Sequence, residues 1–471
     1  MAHGLLRGLS SGRQNHRYRR PPAGNGKPHP PHRPPQAPGL ADHRRPGRAP
    51  RNCGGAGNHS KRIKNKETKE ACIQREKLYA GFCRGKNEDK LVDAMKNVKK
   101  IGCFGHKRIP SREGGVEIVV EELCTRIVKL GYDVTCFNRG GHHVSGAEFD
   151  IKKADNYKGI HIKTVPTIEK KGLAAVSSAF FATLKCAFGK YDVVHVHAEG
   201  PALFCGILKL FGKRVIMTCH GLDHQRTGKW NAIARRCILQ GEKSAVKYAD
   251  EIIVLSKNVQ KYFKDTYGRD TKFISNGVNK PVICDAKEIT EKYGLEKDSY
   301  FLFLGRIVPE KGIHYLIDAF KDVKTEKKLV IAGGASDTDD YMQELKNLAK
   351  DDKRILFAGF VQGVTLDELY SNAYVYVLPS DLEGMPLSLL EAMSYGNCCI
   401  VSDIPECTEV VEDKAIIFNK SDTHSLHEKL VFAVTNAEEV MKLKNNASDF
   451  ICNKYNWDDV VNRTLDLYRS F

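Results

Sequence analysis

Four side chains in the C-terminal half have types and spacings that suit a phosphorylated sugar. In PSDLEGMPLSLLEAM (379–393), Glu383 and Glu391 stand with seven residues between them. Pro386 fits a first helical turn, where its missing N–H costs nothing, and Leu387, Leu390 and Met393 then recur at helical spacing. Glu383 is therefore expected in the loop before a helix and Glu391 about a turn and a half inside it. Free N–H groups at such a helix start suit an anion, and the nearby carboxylates suit sugar hydroxyls. Upstream, GRIVPEKG (305–312) carries Arg306 and Lys311 just after an apolar run. Two cations at a strand end, beside a helix start, can clamp a diphosphate and stabilise it as a leaving group. Two solvated charges are the plain alternative.

Short apolar runs alternate with amphipathic segments and place these residues. KKIGCFG, DVTCF, GIHIKTV, DVVHVH, RVIMTCH and EIIVLS read as strands of a first unit. SYFLFLGR, KLVIAGG, RILFAGF, YVYVLPS, NCCIVS and AIIF repeat the pattern from Ser299 onward. Such alternation argues for parallel sheets covered on both faces. Two doubly wound, Rossmann-like units follow, with a boundary near residues 277–298. In such sheets ligands approach the C-terminal strand ends. After the first strand, Gly114 and Gly115 precede a helix carrying Val116, Val119, Leu123, Ile127 and Leu130. Two glycines let backbone come close to a phosphate, although GxGxxG is absent and an ordinary loop turn is the alternative. The last segment, 457–471, is amphipathic and has no strand after it; packing back across the first unit is expected.

The net charge of +17 over 471 residues is unevenly spread. Residues 1–94 carry 21 Lys and Arg against 7 Asp and Glu, leaving 53 against 50 for the rest. The folded part is nearly neutral, so a basic pI does not imply a nucleic-acid partner. Residues 1–60 are rich in Pro, Arg, His and Gly and are expected to be disordered. Lys is rare there and frequent from Lys61, a shift that predicts a natural start at Met95. The fifteen cysteines form no CxxC pair and fit reduced, buried thiols in a cytoplasmic protein. No apolar run is long enough to span a membrane.

Other motifs carry less. His195 and His197 alternate along one strand and face the same side, but no third zinc ligand follows at sensible spacing. His220 ends another strand in TCHGLD, a placement that suits a pocket residue. GLAAVSSAFFATLKCAF (172–188) is flanked by lysines and could touch a membrane surface; its apolar breadth suits a sheet-covering helix. Asp337-Thr338-Asp339 imitates a metal-binding DxD but reads as a helix cap.

Taken in order, Glu383-x7-Glu391, GRIVPEKG, ISNGV (274–278), GGVE (114–117) and TCHG (218–221) resemble the retaining family-4 glycosyltransferases of GT-B fold. RIPSREGGVEIVVEEL further resembles bacterial rhamnosyl- and glucosyltransferases of surface polysaccharide assembly. The resemblance implies a GT-B α/β protein with an interdomain cleft. Beyond the extension (1–94), which composition reads as disordered, its parts are an acceptor domain (95–280), a nucleotide-sugar domain (281–455) and a returning helix (456–471). It implies transfer of a sugar from a nucleoside diphosphate to an acceptor hydroxyl with retention, without cofactor or metal. Arg306 and Lys311 would hold the diphosphate and Glu391 the ribose. Glu383 would contact the donor sugar, helped by backbone around Gly384, Met385 and Leu387. His220 would line the sugar pocket, Gly115 approach the diphosphate, and Phe360 and Val361 receive the base. The implied partners are a nucleotide sugar and a saccharide or lipid-linked saccharide, with peripheral contact at the inner membrane face and no nucleic acid. The alternatives are a non-catalytic nucleotide-sugar scaffold, or a GT-B epimerase or phosphorylase.

Overall fold

A computed structural model describes residues 100–112, 114–141, 155–170, 173–226, 232–334 and 339–470. The expectations for residues 1–94 and Met95, and for Asp337 and Thr338, lie outside these. Every strand named above is present. In the first lobe they are β1 (Lys100–Phe104), β2 (Asp133–Arg139), β3 (Asn156–Tyr157), β4 (Ile160–Val165), β5 (Val193–His197), β6 (Arg214–Cys219), β7 (Glu251–Val254) and β8 (Lys272–Phe273). The two-residue strands β3 and β8 are too short to give a pattern, and the sequence reading lacks them. Their sheet runs β3-β4-β2-β1-β5-β6-β7-β8, parallel except at β3–β4.

The second lobe holds β9 (Tyr300–Leu304), β10 (Lys328–Ala332), β11 (Ile355–Gly359), β12 (Val375–Leu378), β13 (Cys398–Ser402) and β14 (Ile416–Phe418). Its order is β11-β10-β9-β12-β13-β14, all parallel. Tyr300, Phe301, Leu302 and Phe303 of β9 are fully buried, each worth roughly 1.5–3 kcal/mol of apolar burial. Winding reverses between β1 and β5 in one sheet and between β9 and β12 in the other. At these points the following loops diverge and leave a crevice.

One face of the first sheet is covered by two helices, Gly115–Lys129 and Trp457–Arg469, which share a core through Val119, Val120, Leu123, Trp457, Val460 and Leu465. The side chain of Asn456 caps the latter helix by accepting from the Asp459 N–H at 2.8 Å. Tyr468 meets His195 of β5 at 2.6 Å, and Arg469 donates to Tyr132 at 2.8 Å. The chain end is thus tied to the first lobe's core after traversing the second.

The opposite face carries the helix Leu173–Phe188. It covers the sheet as its apolar breadth suggests, but with its small residues: Ser178, Ala179, Ala182, Thr183, Cys186 and Ala187 are inside. Leu173, Phe180 and Phe188 remain exposed.

Candidate active site

On the second lobe, backbone contacts that tolerate no side chain build the cradle. Gly333 (φ +148°) lies so close to the Gly305 carbonyl that a Cβ would sit 1.7 Å from it. Ile307 N–H donates to the Gly334 carbonyl at 3.0 Å. Arg306 is fixed between these contacts, and its guanidinium has no partner among the described residues. Phe360, exposed, and Val361, half-buried, follow β11 in the same strand-end row, with Phe360 against Gly334.

Farther along, Gly312 (φ +64°) abuts the Pro379 carbonyl, and Asp381 N–H donates to the Glu310 carbonyl at 2.9 Å. This docks the loop after β9 onto the loop after β12. Lys311 Nζ thereby reaches Glu383 Oε1 at 2.5 Å, and Ser380 Oγ donates to the same oxygen at 2.6 Å. Lys311 and Glu383 are only 7% and 8% exposed. Burial pushes the Glu383 carboxyl up, but Lys311, Ser380 and Arg226 outweigh it and hold it below the usual carboxylate value.

The helix Leu387–Ser394 begins one residue later than expected. Pro386 is its extended N-cap (φ −76°, ψ 98°), not part of its first turn, and no side chain caps it. Glu391 is the fifth residue of this helix and accepts from Tyr370 at 3.2 Å. Burial raises its carboxyl to about 7 against the pull of Arg112 and Tyr370. Arg112 belongs to the loop after β1, so the two lobes interact electrostatically here.

The first lobe presents neutral groups. His197 and His220 meet through Nδ1 and Nε2 at 3.0 Å. Burial lowers His220 to about 4, against Glu117 and Asp223, and lowers His195 to about 3. His106 Nδ1 and His197 Nε2 are buried without a hydrogen-bond partner among the described residues. The loop after β1 is pinned by Asn138, which accepts from Ile109 N–H at 3.0 Å and donates to its carbonyl at 2.9 Å.

The lobes touch where the sequence places glycines. A Cβ on Gly115 would meet Leu387 Cδ1 at 3.2 Å, and one on Gly384 would lie 1.8 Å from the His220 carbonyl oxygen. Met385 Sδ accepts from Asn276 N–H at 3.1 Å. Arg226 bridges Asp223 (2.9 Å) and, across the lobes, Glu310 (3.1 Å).

The structure thus bonds Lys311 to Glu383, sets Gly384 on the backbone of His220, and sets Gly115 against Leu387. Arg306, Phe360 and Val361 stand in the strand-end row without direct contact to that pair. Arg112, Arg226 and Ser380 join the site without having been singled out from sequence. The strand-end rule covers Arg112 and Ser380. Arg226 lies seven residues beyond β6, where no motif marks it.

Two family models match: Glycosyltransferase Family 4 over residues 113–280 and Glycosyl transferases group 1 over 285–450. An uncharacterised glycosyltransferase of Methanocaldococcus jannaschii is 25% identical over 384 residues, 76% of this chain and 95% of its own. The UDP-Gal:alpha-D-GlcNAc-diphosphoundecaprenol alpha-1,3-galactosyltransferase of Escherichia coli is 28% identical over 296 residues, 59% of this chain and 75% of its own. The solved structure of Anabaena HepE with UDP and glucose superposes with a TM-score of 0.66 at 16% identity, covering 79% of this chain and all of that one. The chain therefore belongs to the family-4, group 1 glycosyltransferases and has their GT-B fold.

Proposed function

We propose that this glycosyltransferase moves a hexose from a nucleoside diphosphate to a saccharide hydroxyl with retention of configuration, in the assembly of a cell-surface polysaccharide. The observation that carries the reading is the buried Lys311–Glu383 pair in the strand-end row that also holds Arg306, with Gly384 set on the backbone of His220. Arg306 supplies uncompensated positive charge for the diphosphate. Lys311 keeps donors to spare beyond the one on Glu383. Glu383, with Oε1 taken by Lys311 and Ser380, has Oε2 for a sugar hydroxyl. Glu391 receives the ribose, and Phe360 and Val361 flank the base.

In the reaction the bond from the anomeric carbon to the diphosphate oxygen breaks. The acceptor oxygen bonds that carbon on the same face, and its proton passes to the departing phosphate. Cations already in place offset the developing charge without reorganisation, so no divalent ion is needed at the diphosphate. Turnover is expected to persist in EDTA.

A lipid-linked acceptor at the cytoplasmic membrane face fits the outer surface of the first lobe. Leu173, Phe180, Phe188, Leu210 and Phe211 are exposed there, and the Phe188 and Phe211 rings meet at 4.8 Å. Lys185, Lys190 and Lys209 stand nearby, and the helices Leu173–Phe188 and Cys205–Leu210 contain no acid. No described helix is long and apolar enough to cross a membrane. Sedimentation with phosphatidylglycerol vesicles is expected, lost in Phe188→Ser/Leu210→Ser; equal sedimentation of that variant would remove the surface contact.

The full chain should be screened against UDP-, GDP-, ADP- and dTDP-sugars for a melting shift and slow hydrolysis, with NMR of the product anomer. One base class should stabilise and hydrolyse with retention. No shift with any donor, or an inverted product, would contradict the proposal.

A further inference from the structure

Away from the diphosphate cations, three chain segments converge on one point of the first lobe. Glu199 follows β5, His224 lies in the turn Asp223–Gln225 after β6, and Glu242 is in the helix Ala232–Tyr248. Glu199 and Glu242 are fully buried, while the His224 side chain is 16% exposed. Gly241 lets that helix approach so closely that a Cβ there would lie 2.1 Å from the Glu199 carbonyl oxygen.

The hydrogen bonding is divided in a specific way. Glu242 Oε1 accepts from Tyr262 at 2.9 Å and Tyr267 at 2.5 Å, and Glu199 Oε2 accepts from Asp223 N–H at 2.7 Å. The remaining atoms, Glu199 Oε1, Glu242 Oε2 and His224 Nδ1, have no hydrogen-bond partner among the described residues. Yet these atoms lie within 4.8 Å of one another, with Nδ1 at 3.5 Å from Glu199 Oε1 and 3.2 Å from Glu242 Oε2.

A single imidazole Nδ1–H serves one oxygen at a time, and leaving the other buried carboxylate oxygen unsatisfied is costly. Closing the site with protons therefore takes a second one, on Glu199, whose carboxyl is pushed well above the usual range by burial and Glu242. A divalent cation satisfies all three. Bonds of about 2.0–2.2 Å meeting near the tetrahedral angle separate donor atoms by roughly 3.3–3.6 Å, close to the two spacings from His224 Nδ1, 3.5 and 3.2 Å. Two carboxylates and a neutral imidazole balance the charge. The outer oxygens are already oriented by tyrosine and backbone donors, the support that metal ligands need. The partly exposed histidine leaves a way in.

We propose that Glu199, His224 and Glu242 bind a divalent transition-metal ion of the zinc class, tying the strand-end segments 199 and 224 to the helix behind them. The imidazole donor favours zinc over magnesium or calcium. The buried trio Cys103, Cys124 and Cys136 makes no comparable case, because thiols tolerate apolar burial.

The test uses the full chain stripped with chelator and dialysed, then titrated with zinc or magnesium by calorimetry and thermal melting. Zinc should bind at this site and raise Tm; magnesium should do neither. Glu242→Gln and His224→Ala should remove that binding event and the Tm rise. Tyr267→Phe, which keeps every proposed ligand, should weaken zinc by about ten- to a hundredfold. No zinc binding by the wild type, or unchanged stoichiometry, affinity and Tm rise in folded Glu242→Gln and Tyr267→Phe, would overturn the site.

Discussion

On the second lobe, Lys311 and Glu383 are charged, buried and bonded to each other, with Arg306 in the same strand-end row. On the first lobe, His195, His197 and His220 are buried, linked and neutral, their pKa values all lowered by burial. Both sets sit at or next to the reversal of a sheet, so topology alone does not set their chemistry. The difference lies in pairing. Glu383 keeps its charge because Lys311, Ser380 and the charge of Arg226 outweigh its burial, whereas on His220 burial outweighs the pull of Glu117 and Asp223. In the proposed reaction one wall stabilises departing negative charge and the other hydrogen-bonds the sugar.

Breaking the charged wall should have the largest effect. Lys311→Ala is expected to lower kcat by about 10²–10³-fold. It also strands Glu383 in the interior, so stability should fall by roughly 3 kcal/mol. The double variant Lys311→Met/Glu383→Gln should recover stability in urea melts but not turnover. Recovery of turnover would mean the pair is merely structural.

Next is the contact between the walls. Gly384→Ala puts a methyl where the His220 carbonyl stands, forcing the loops apart by an ångström or more. A loss of about 10²-fold in kcat/KM is expected, with chain stability little changed. Wild-type kinetics would show that the lobes need not meet there.

The neutral wall should respond more mildly. His220→Ala should cost roughly tenfold, the worth of a hydrogen bond or so, and His220→Gln less. Because His220 titrates near 4, it should add no inflection to the turnover profile between pH 5 and 8. An inflection lost in His220→Gln would show the wall to be charged in use.

Glu391 is tested through stability and not through rate. Its folded pKa of about 7 exceeds the ordinary 4.5, so its contribution to stability is full below 4.5 and is lost as pH rises through 7. Wild type should therefore lose stability relative to Glu391→Gln between pH 5 and 8. A constant difference in urea melts would place Glu391 in a wetter setting.

Much of this was legible in residues 99–471. Fully buried parallel strands read as continuous apolar runs, and loops after them hold the charged groups. What periodicity cannot supply is partner identity. The helix Leu173–Phe188 is broad enough to cover a sheet, yet its sequence does not say that alanines go in and Phe188 stays out. Glu199 and Glu242 meet across 43 positions with no motif between them, and Arg226 reaches Glu310 only because the two lobes close. Pro386 fits either an N-cap or a first turn, and only the chain's approach decides.

The most direct test of the charged wall is the affinity of a nucleoside diphosphate and its parent nucleoside for wild type and Arg306→Ala, taken through the uridine, guanosine, adenosine and thymidine series. Among the described residues the Arg306 guanidinium has no partner to lose, so folding should be untouched. The diphosphate of the preferred base should bind Arg306→Ala at least about tenfold more weakly while the nucleoside binds equally. Equal diphosphate affinity in both proteins would contradict the account.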